Sequence, residues 1–223
     1  MIRILIFGST GPTGIALVRQ VLQTYQECTV ILYVRSPGKI PEDLKANKSI
    51  IIIEGQLDDL DGLSKAMEGV YAVLSALGPS VKNGPFHPSN TPLANAYARI
   101  IQVMHQHHVK RLICLGTASI TDPADKFSLA FSVLINGVKT LARNAYNDVV
   151  AIGSNVRTLG ADLDWTIVRV PILTEKETRE IIAGYVGDGT TNTFLSRMGF
   201  ASFVVGELEK REWVQKAPLL CSA

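Results

Sequence analysis

Cysteine is scarce in this chain, with three in 223 residues. Cys28, Cys114 and Cys221 are odd in number and have no metal-type spacing, which argues against a disulfide framework and fits reduced thiols. Long apolar runs are missing as well. None approaches the roughly 20 residues needed to span a bilayer, and no signal-peptide region stands ahead of the first apolar run. A cytoplasmic location with no membrane partner is the expectation. An excess of charge of one sign is the third absence: the formal net charge is +2, so the chain offers no basis for polyanion binding, and nucleic acid is not an expected partner. What the chain does have is apolar content, at 47% of its residues, which excludes disorder and supports one domain with a substantial core.

The first fourteen residues organise the rest. Ile2, Ile4, Leu5, Ile6 and Phe7 form an apolar run that breaks into Gly8-Ser9-Thr10-Gly11-Pro12-Thr13-Gly14. Apolar positions at helical spacing follow, from Ile15 to Leu22. The glycines therefore occupy a strand-to-helix turn. Gly8 is expected to permit the tight turn, Gly11 the approach of a pyrophosphate to the backbone, and Gly14 close helix packing. Free N–H groups and the macrodipole make such a helix start an anion site, to which Ser9, Thr10 and Thr13 add hydroxyls. The spacing is Gly-x-x-Gly-x-x-Gly rather than Gly-x-Gly-x-x-Gly, so its context carries the reading.

Further strands are expected at Val30 to Val34, Ile50 to Ile53, Tyr71 to Leu77, Arg111 to Leu115 and Asp164 to Val170, with a short one at Ile181 to Val186. Helices alternate with them: one after Asp58-Asp59, one from Pro92 to about His107, helical stretches from Phe127 to Tyr146 and Val149 to Leu159 broken at Asn147-Asp148, and a last one over Ser196 to Lys210. Leu173 to Arg179 reads as a charged loop. This alternation specifies an α/β fold, a Rossmann-type doubly wound parallel sheet in a single domain. Strand 2 ends in Arg35-Ser36, with no acid before Glu42. An arginine there suits a 2′-phosphate, so NADP(H) is favoured over NAD, with Ser36 and Lys39 as helpers. Ala76, Leu77 and Gly78 are placed to run along the cofactor. Thr117 and Ser119 follow strand 5, where a substrate would lie. His105, His107 and His108 lack a carboxylate or cysteine cluster, so no metal is expected.

The order of these motifs resembles the atypical short-chain dehydrogenase/reductase group, specifically the NmrA-like and biliverdin-IXβ (flavin) reductase proteins. The residues that carry the resemblance are Phe7 to Gly14, Val34-Arg35, Glu54-Gly55-Gln56-Leu57-Asp58, Ala76-Leu77-Gly78, Val109 to Ile113 and Leu163 to Arg169. The resemblance implies NADP(H) held by the glycine turn and Arg35, Leu57 and Asp58 near the adenine, and a seven-stranded parallel sheet or close variant.

Departures from that pattern bear on the chemistry. The group's Tyr-x-x-x-Lys pair is absent; four residues before Lys139 stands Ile135, which gives no proton. The histidine that biliverdin-IXβ reductases carry before strand 6 is missing from Gly153-Ser154-Asn155-Val156, and Ser196-Arg197-Met198-Gly199 has glycine where an aspartate is usual. Such a site suits a planar conjugated acceptor (flavin, quinone or enone) that stabilises incoming electrons itself. Ser119, Thr117 and Lys139 are the candidate catalytic residues. Phe86, Ser119, Tyr146, Pro171 and Tyr185 are the candidate substrate-pocket residues, in a pocket expected between loops 78–91, 116–130 and 171–195. Two other functions stay open: an NADP(H)-binding redox sensor with a protein partner, and a reductase or isomerase of a biosynthetic pathway.

Overall fold

The computed structural model describes residues 2–79 and 86–223. In chain order it consists of β1 (Ile2–Phe7), α1 (Pro12–Thr24), β2 (Cys28–Val34), a 3-10 turn (Pro37–Lys39), α2 (Glu42–Lys45), β3 (Ile50–Glu54), α3 (Leu60–Met67) and β4 (Ala72–Ser75). Then come α4 (Pro92–Gln106), β5 (Arg111–Thr117), α5 (Leu129–Leu141), α6 (Arg143–Leu159), β6 (Asp164–Val170), β7 (Ile172–Thr174), β8 (Ile181–Gly184), β9 (Phe194–Ser196), α7 (Arg197–Lys210) and β10 (Leu219–Ser222).

The main sheet has eight strands in the order β3-β2-β1-β4-β5-β6-β10-β8. All its pairs are parallel except β10 with β8. Successive side chains of a strand point to opposite faces, and β1 shows the consequence. Ile4 and Ile6 pack with Leu17, Val18, Val21, Phe200 and Val204 of α1 and α7, whereas Leu5 and Phe7 pack with Leu63, Tyr97, Ile100 and Ile152 of α3, α4 and α6. Helices therefore cover both faces, which gives the doubly wound α/β architecture expected from the alternating pattern. Order reverses between β1 and β4, so the carboxyl ends of the parallel strands open a crevice there.

Four sequence expectations need correction. The helical break falls at Ala142, not at Asn147-Asp148, because Asp148 serves as a buried acceptor inside α6. β4 ends at Ser75, two residues short of Leu77. The charged stretch from Leu173 to Arg179 is not all loop: its start belongs to β7, which pairs with β9 in a separate two-stranded sheet. β10, absent from the expected elements, inserts between β6 and β8. The three added strands, β7, β9 and β10, are three or four residues long with partners remote in sequence, and such runs show no readable period. Of the expected 78–91 loop, residues 80–85 lie outside the described residues.

Candidate functional site

At the end of β1 the backbone turns through Gly8 at φ +75°, a left-handed conformation that favours glycine. A Cβ on Gly8 would stand 2.8 Å from the Ala76 carbonyl carbon, so the β1 and β4 ends touch only because there is none. Gly14 is tighter still, with a built Cβ 2.1 Å from the Gly8 carbonyl oxygen. Gly11 differs. A Cβ there would meet nothing closer than that same oxygen at 3.7 Å among the described residues, so the space before it is open to a ligand. Gly11 is also the N-cap of α1, with Pro12 in the first turn, where its missing N–H costs nothing. The hydroxyl of Ser9 is fully buried and has no hydrogen-bond partner among the described residues, a state that costs about 1–3 kcal/mol unless something binds it. Close backbone, open space before Gly11, a helix N-terminus and an orphaned hydroxyl together fit a dinucleotide pyrophosphate. Thr10 and Thr13 belong to the same turn, with Thr13 buried.

Because the strands are parallel, the other expected cofactor residues fall on the same edge in sheet order. Arg35 leaves β2 exposed, with no ion pair among the described residues, and Ser36 follows half-buried. Beyond β3, the loop holding Leu57 and Asp58 folds around the ring of Tyr33, whose hydroxyl donates to the Gln56 carbonyl at 2.9 Å. Burial, then Asp59 and Asp58, push the Tyr33 phenol up to about 12, so it remains a donor at any physiological pH. A Cβ on Gly55 would collide with that ring. On the opposite side of the glycine turn, the Leu77 N–H donates to the Ser75 hydroxyl, itself bonded at 2.6 Å to the buried Tyr97 hydroxyl. Ala76, Leu77 and Gly78 thus leave β4 on a braced backbone.

The next strand along this edge is β5, whose carboxyl end carries Thr117 and Ser119. The Ser119 N–H donates to the Thr117 hydroxyl at 3.3 Å, which sets the turn. Ser119 and Tyr146 line one groove of about 420 Å³ with Ile120, Thr121, Val150, Ser154, Arg157 and Thr158. Lys139 is exposed on α5, and its ammonium stands 5.7 Å from the centre of the Tyr146 ring. Ser119, Tyr146 and Lys139 are thereby brought into one neighbourhood, and Pro171 sits at the carboxyl end of β6. Two expected pocket walls are not brought there. Phe86 is 87% exposed, and Tyr185 is not among the groove's lining residues but packs edge-on against Trp213, 5.8 Å between ring centres. A second groove, of about 550 Å³ between α4 and α6, contains none of the expected residues.

A family of proteins described as NAD(P)H-binding matches residues 8–211. The chain belongs to this NAD(P)H-binding family. Solved structures agree at the level of fold. A short-chain dehydrogenase/reductase from Veillonella parvula superposes with a TM-score of 0.81 at 17% identity, covering 99% of this chain and 94% of that one. The same type of protein from that organism in complex with NADP gives 0.79 at 16% identity, with 99% and 94% covered. ChuY, an anaerobillin reductase from Escherichia coli O157:H7, gives 0.76 at 16% identity, with 99% and 97% covered.

Within this family member, two buried charged groups hold the site loops, and sequence reasoning missed both. Arg169, fully buried in β6, donates to both carboxylate oxygens of Asp125 at 2.7 and 2.8 Å and to the carbonyls of Ile120 and Ala217. It pins the loop that carries Ser119. Asp148 accepts from the Leu93 and Ala94 N–H groups and meets His87 at 2.7 Å. Thr91, the N-cap residue of α4, is left-handed and offers no side-chain cap, so Asp148 supplies one from α6. Asn144 and Asn155 add bonds to the His87 and Ala94 carbonyls. The signal for Asp148 was an acid set among apolar positions at helical spacing, which reads equally well as a helix break. Among the described residues no group of three or more His, Cys, Asp or Glu is arranged to hold a metal, and no helix is long and apolar enough to cross a membrane.

Proposed function

We propose that this protein is an NADPH-dependent oxidoreductase that passes hydride to a planar conjugated acceptor of flavin, quinone or enone type. The observation that carries the proposal is the order along one sheet edge. Arg35 at β2 would meet the 2′-phosphate, and Leu57 and Asp58 beyond β3 would flank the adenine. The turn from Gly8 to Gly14, with Ser9, Thr10, Pro12 and Thr13, would hold the pyrophosphate. Ala76 to Gly78 and Thr117 would lead toward the groove of Ser119 and Tyr146. The reduced nicotinamide supplies the hydride. The chain's own part is positioning: Tyr146 forms a wall, the Ser119 hydroxyl faces the reacting end as a proton source, and the Arg169–Asp125 clamp fixes that loop. A conjugated acceptor disperses the arriving charge, so a site without Tyr-x-x-x-Lys suffices. The NADP complex and the anaerobillin reductase among the similar structures support the cofactor and the reductase class.

Cofactor choice has its own test. Arg35→Ala is expected to weaken NADPH binding by about 1–3 kcal/mol, the range for charge-assisted bonds, and to leave NADH binding nearly unchanged in calorimetry. Equal losses for both cofactors would remove the 2′-phosphate role. Activity is tested by following NADPH absorbance with a panel of flavins, quinones and enones. Saturable oxidation above the protein-free rate is expected. Tight NADPH binding without consumption would instead favour a redox sensor acting through a protein partner.

A further inference from the structure

α5 is apolar on two sides, and the core uses only one. Phe131, with Leu134 and Ile135, packs on Ala118, Val186 and Leu219. The opposite side presents Leu129, Val133, Gly137 and Leu141 at a strict spacing of four residues. Leu129 is 70% exposed, Val133 66% and Leu141 74%, and Phe127, just before the helix, is 83% exposed. Together with Val138 these side chains leave roughly 500–600 Å² of apolar surface, at the upper end of what a monomer exposes in one patch.

We propose that this face is the contact between two copies of the chain, packed α5 against α5 about a twofold axis. Area is the first argument. Doubling the patch gives roughly 1,000–1,200 Å² of apolar burial, and a polar rim of Asn136, Lys139 and Thr140 brings the total into the range of specific interfaces. Self-complementarity is the second. A twofold contact needs knob and hole on the same surface, and the stripe holds both: branched side chains at 129, 133 and 141, and a notch at Gly137, where a Cβ would meet nothing within 4 Å. Charge is the third. From Phe127 to Asn147 there is no carboxylate and the only formal charges are Lys139 and Arg143, so the surface gives a charged partner little to recognise. Nor does it match a helix lying on lipid, which carries a strongly basic polar face opposite its apolar one; here the opposite side is core.

The test is light scattering after size exclusion, across protein concentrations into the tens of micromolar. Wild-type protein is expected at twice the chain mass. Val133→Asp and Gly137→Phe are each expected to raise the dimer dissociation constant at least tenfold, with NADPH affinity retained as evidence of a folded site. Gly137→Phe is the sharper variant, since the single chain has open space there and only a close neighbour would object. A wild-type monomer throughout, or a dimer that neither variant weakens, would overturn the proposal. A monomer that sediments with phosphatidylserine vesicles would overturn it in favour of a lipid surface.

Discussion

Gly14→Val is expected to abolish measurable NADPH binding, while Gly11→Ala is expected to lower affinity about tenfold and leave the fold intact. The two substitutions differ in what the new atoms meet. At Gly14 the Cβ alone would stand 2.1 Å from the Gly8 carbonyl oxygen, 2.7 Å from its carbon and 2.8 Å from the Ser9 Cα, all backbone atoms that cannot rotate aside. Either α1 moves off the turn or the turn opens, and in both cases the N–H groups and the Ser9 hydroxyl lose their common focus. At Gly11 the nearest atom is 3.7 Å away, so the chain accommodates a methyl group and only a ligand in front of the turn is displaced. Tenfold corresponds to about 1.4 kcal/mol. Circular dichroism and calorimetry on both variants separate loss of the turn from obstruction of the ligand. Unchanged NADPH affinity in Gly11→Ala would place the pyrophosphate elsewhere.

Arg169→Met is expected to destabilise the protein by about 3–5 kcal/mol, the cost of leaving one member of a buried ion pair unpartnered. The substitution keeps the side chain's length and removes four hydrogen bonds, two of them to Asp125. For a chain of this size the corresponding fall in Tm is about 10 °C. Acid sensitivity gives an independent readout. Burial alone would raise the Asp125 carboxyl, but the bonds from Arg169, with backbone N–H groups of Asp122 and Val186, outweigh it and hold the group below its ordinary 3.8. A carboxylate depressed in the folded state adds stability that is present above the unfolded value and lost as pH falls through the folded one. Wild-type stability should therefore decline more steeply below about pH 4 than that of Arg169→Met. Parallel acid limbs would contradict the clamp. Since the same arginine holds the Ile120 carbonyl, the variant should also lose turnover through misplacement of Ser119.

Most of the frame was legible in the sequence because its signals are local. A near-continuous aliphatic run such as Val30 to Val34 has few alternatives, and Asp59 announces α3 and caps it, accepting from the Gly62 N–H at 2.9 Å. The glycine turn was legible for the same reason, down to the tight turn at Gly8 and the close helix packing at Gly14. What stayed hidden depends on contacts across the chain. Asp148 acts 54 and 55 residues away from itself in sequence, on the N-terminus of another helix. Tyr185 reads as a candidate pocket wall, and its packing against Trp213 is a contact that no local pattern announces. Lys139 seemed orphaned by its spacing from any tyrosine; the break at Ala142 folds α5 back so that it reaches Tyr146 across seven residues. Periodicity reports which face of an element is buried, and says nothing of what buries it.

The measurement that tests the account most directly is a single-turnover oxidation of NADPH carrying deuterium at one or the other face of its C4, with the best acceptor from the panel. A fixed cofactor in the crevice predicts a slowed reaction for one labelled face only, and at wild-type strength only when Ser119 and the glycine turn are intact. Equal rates for the two labels, or oxidation no faster than without protein, would contradict hydride transfer at this site.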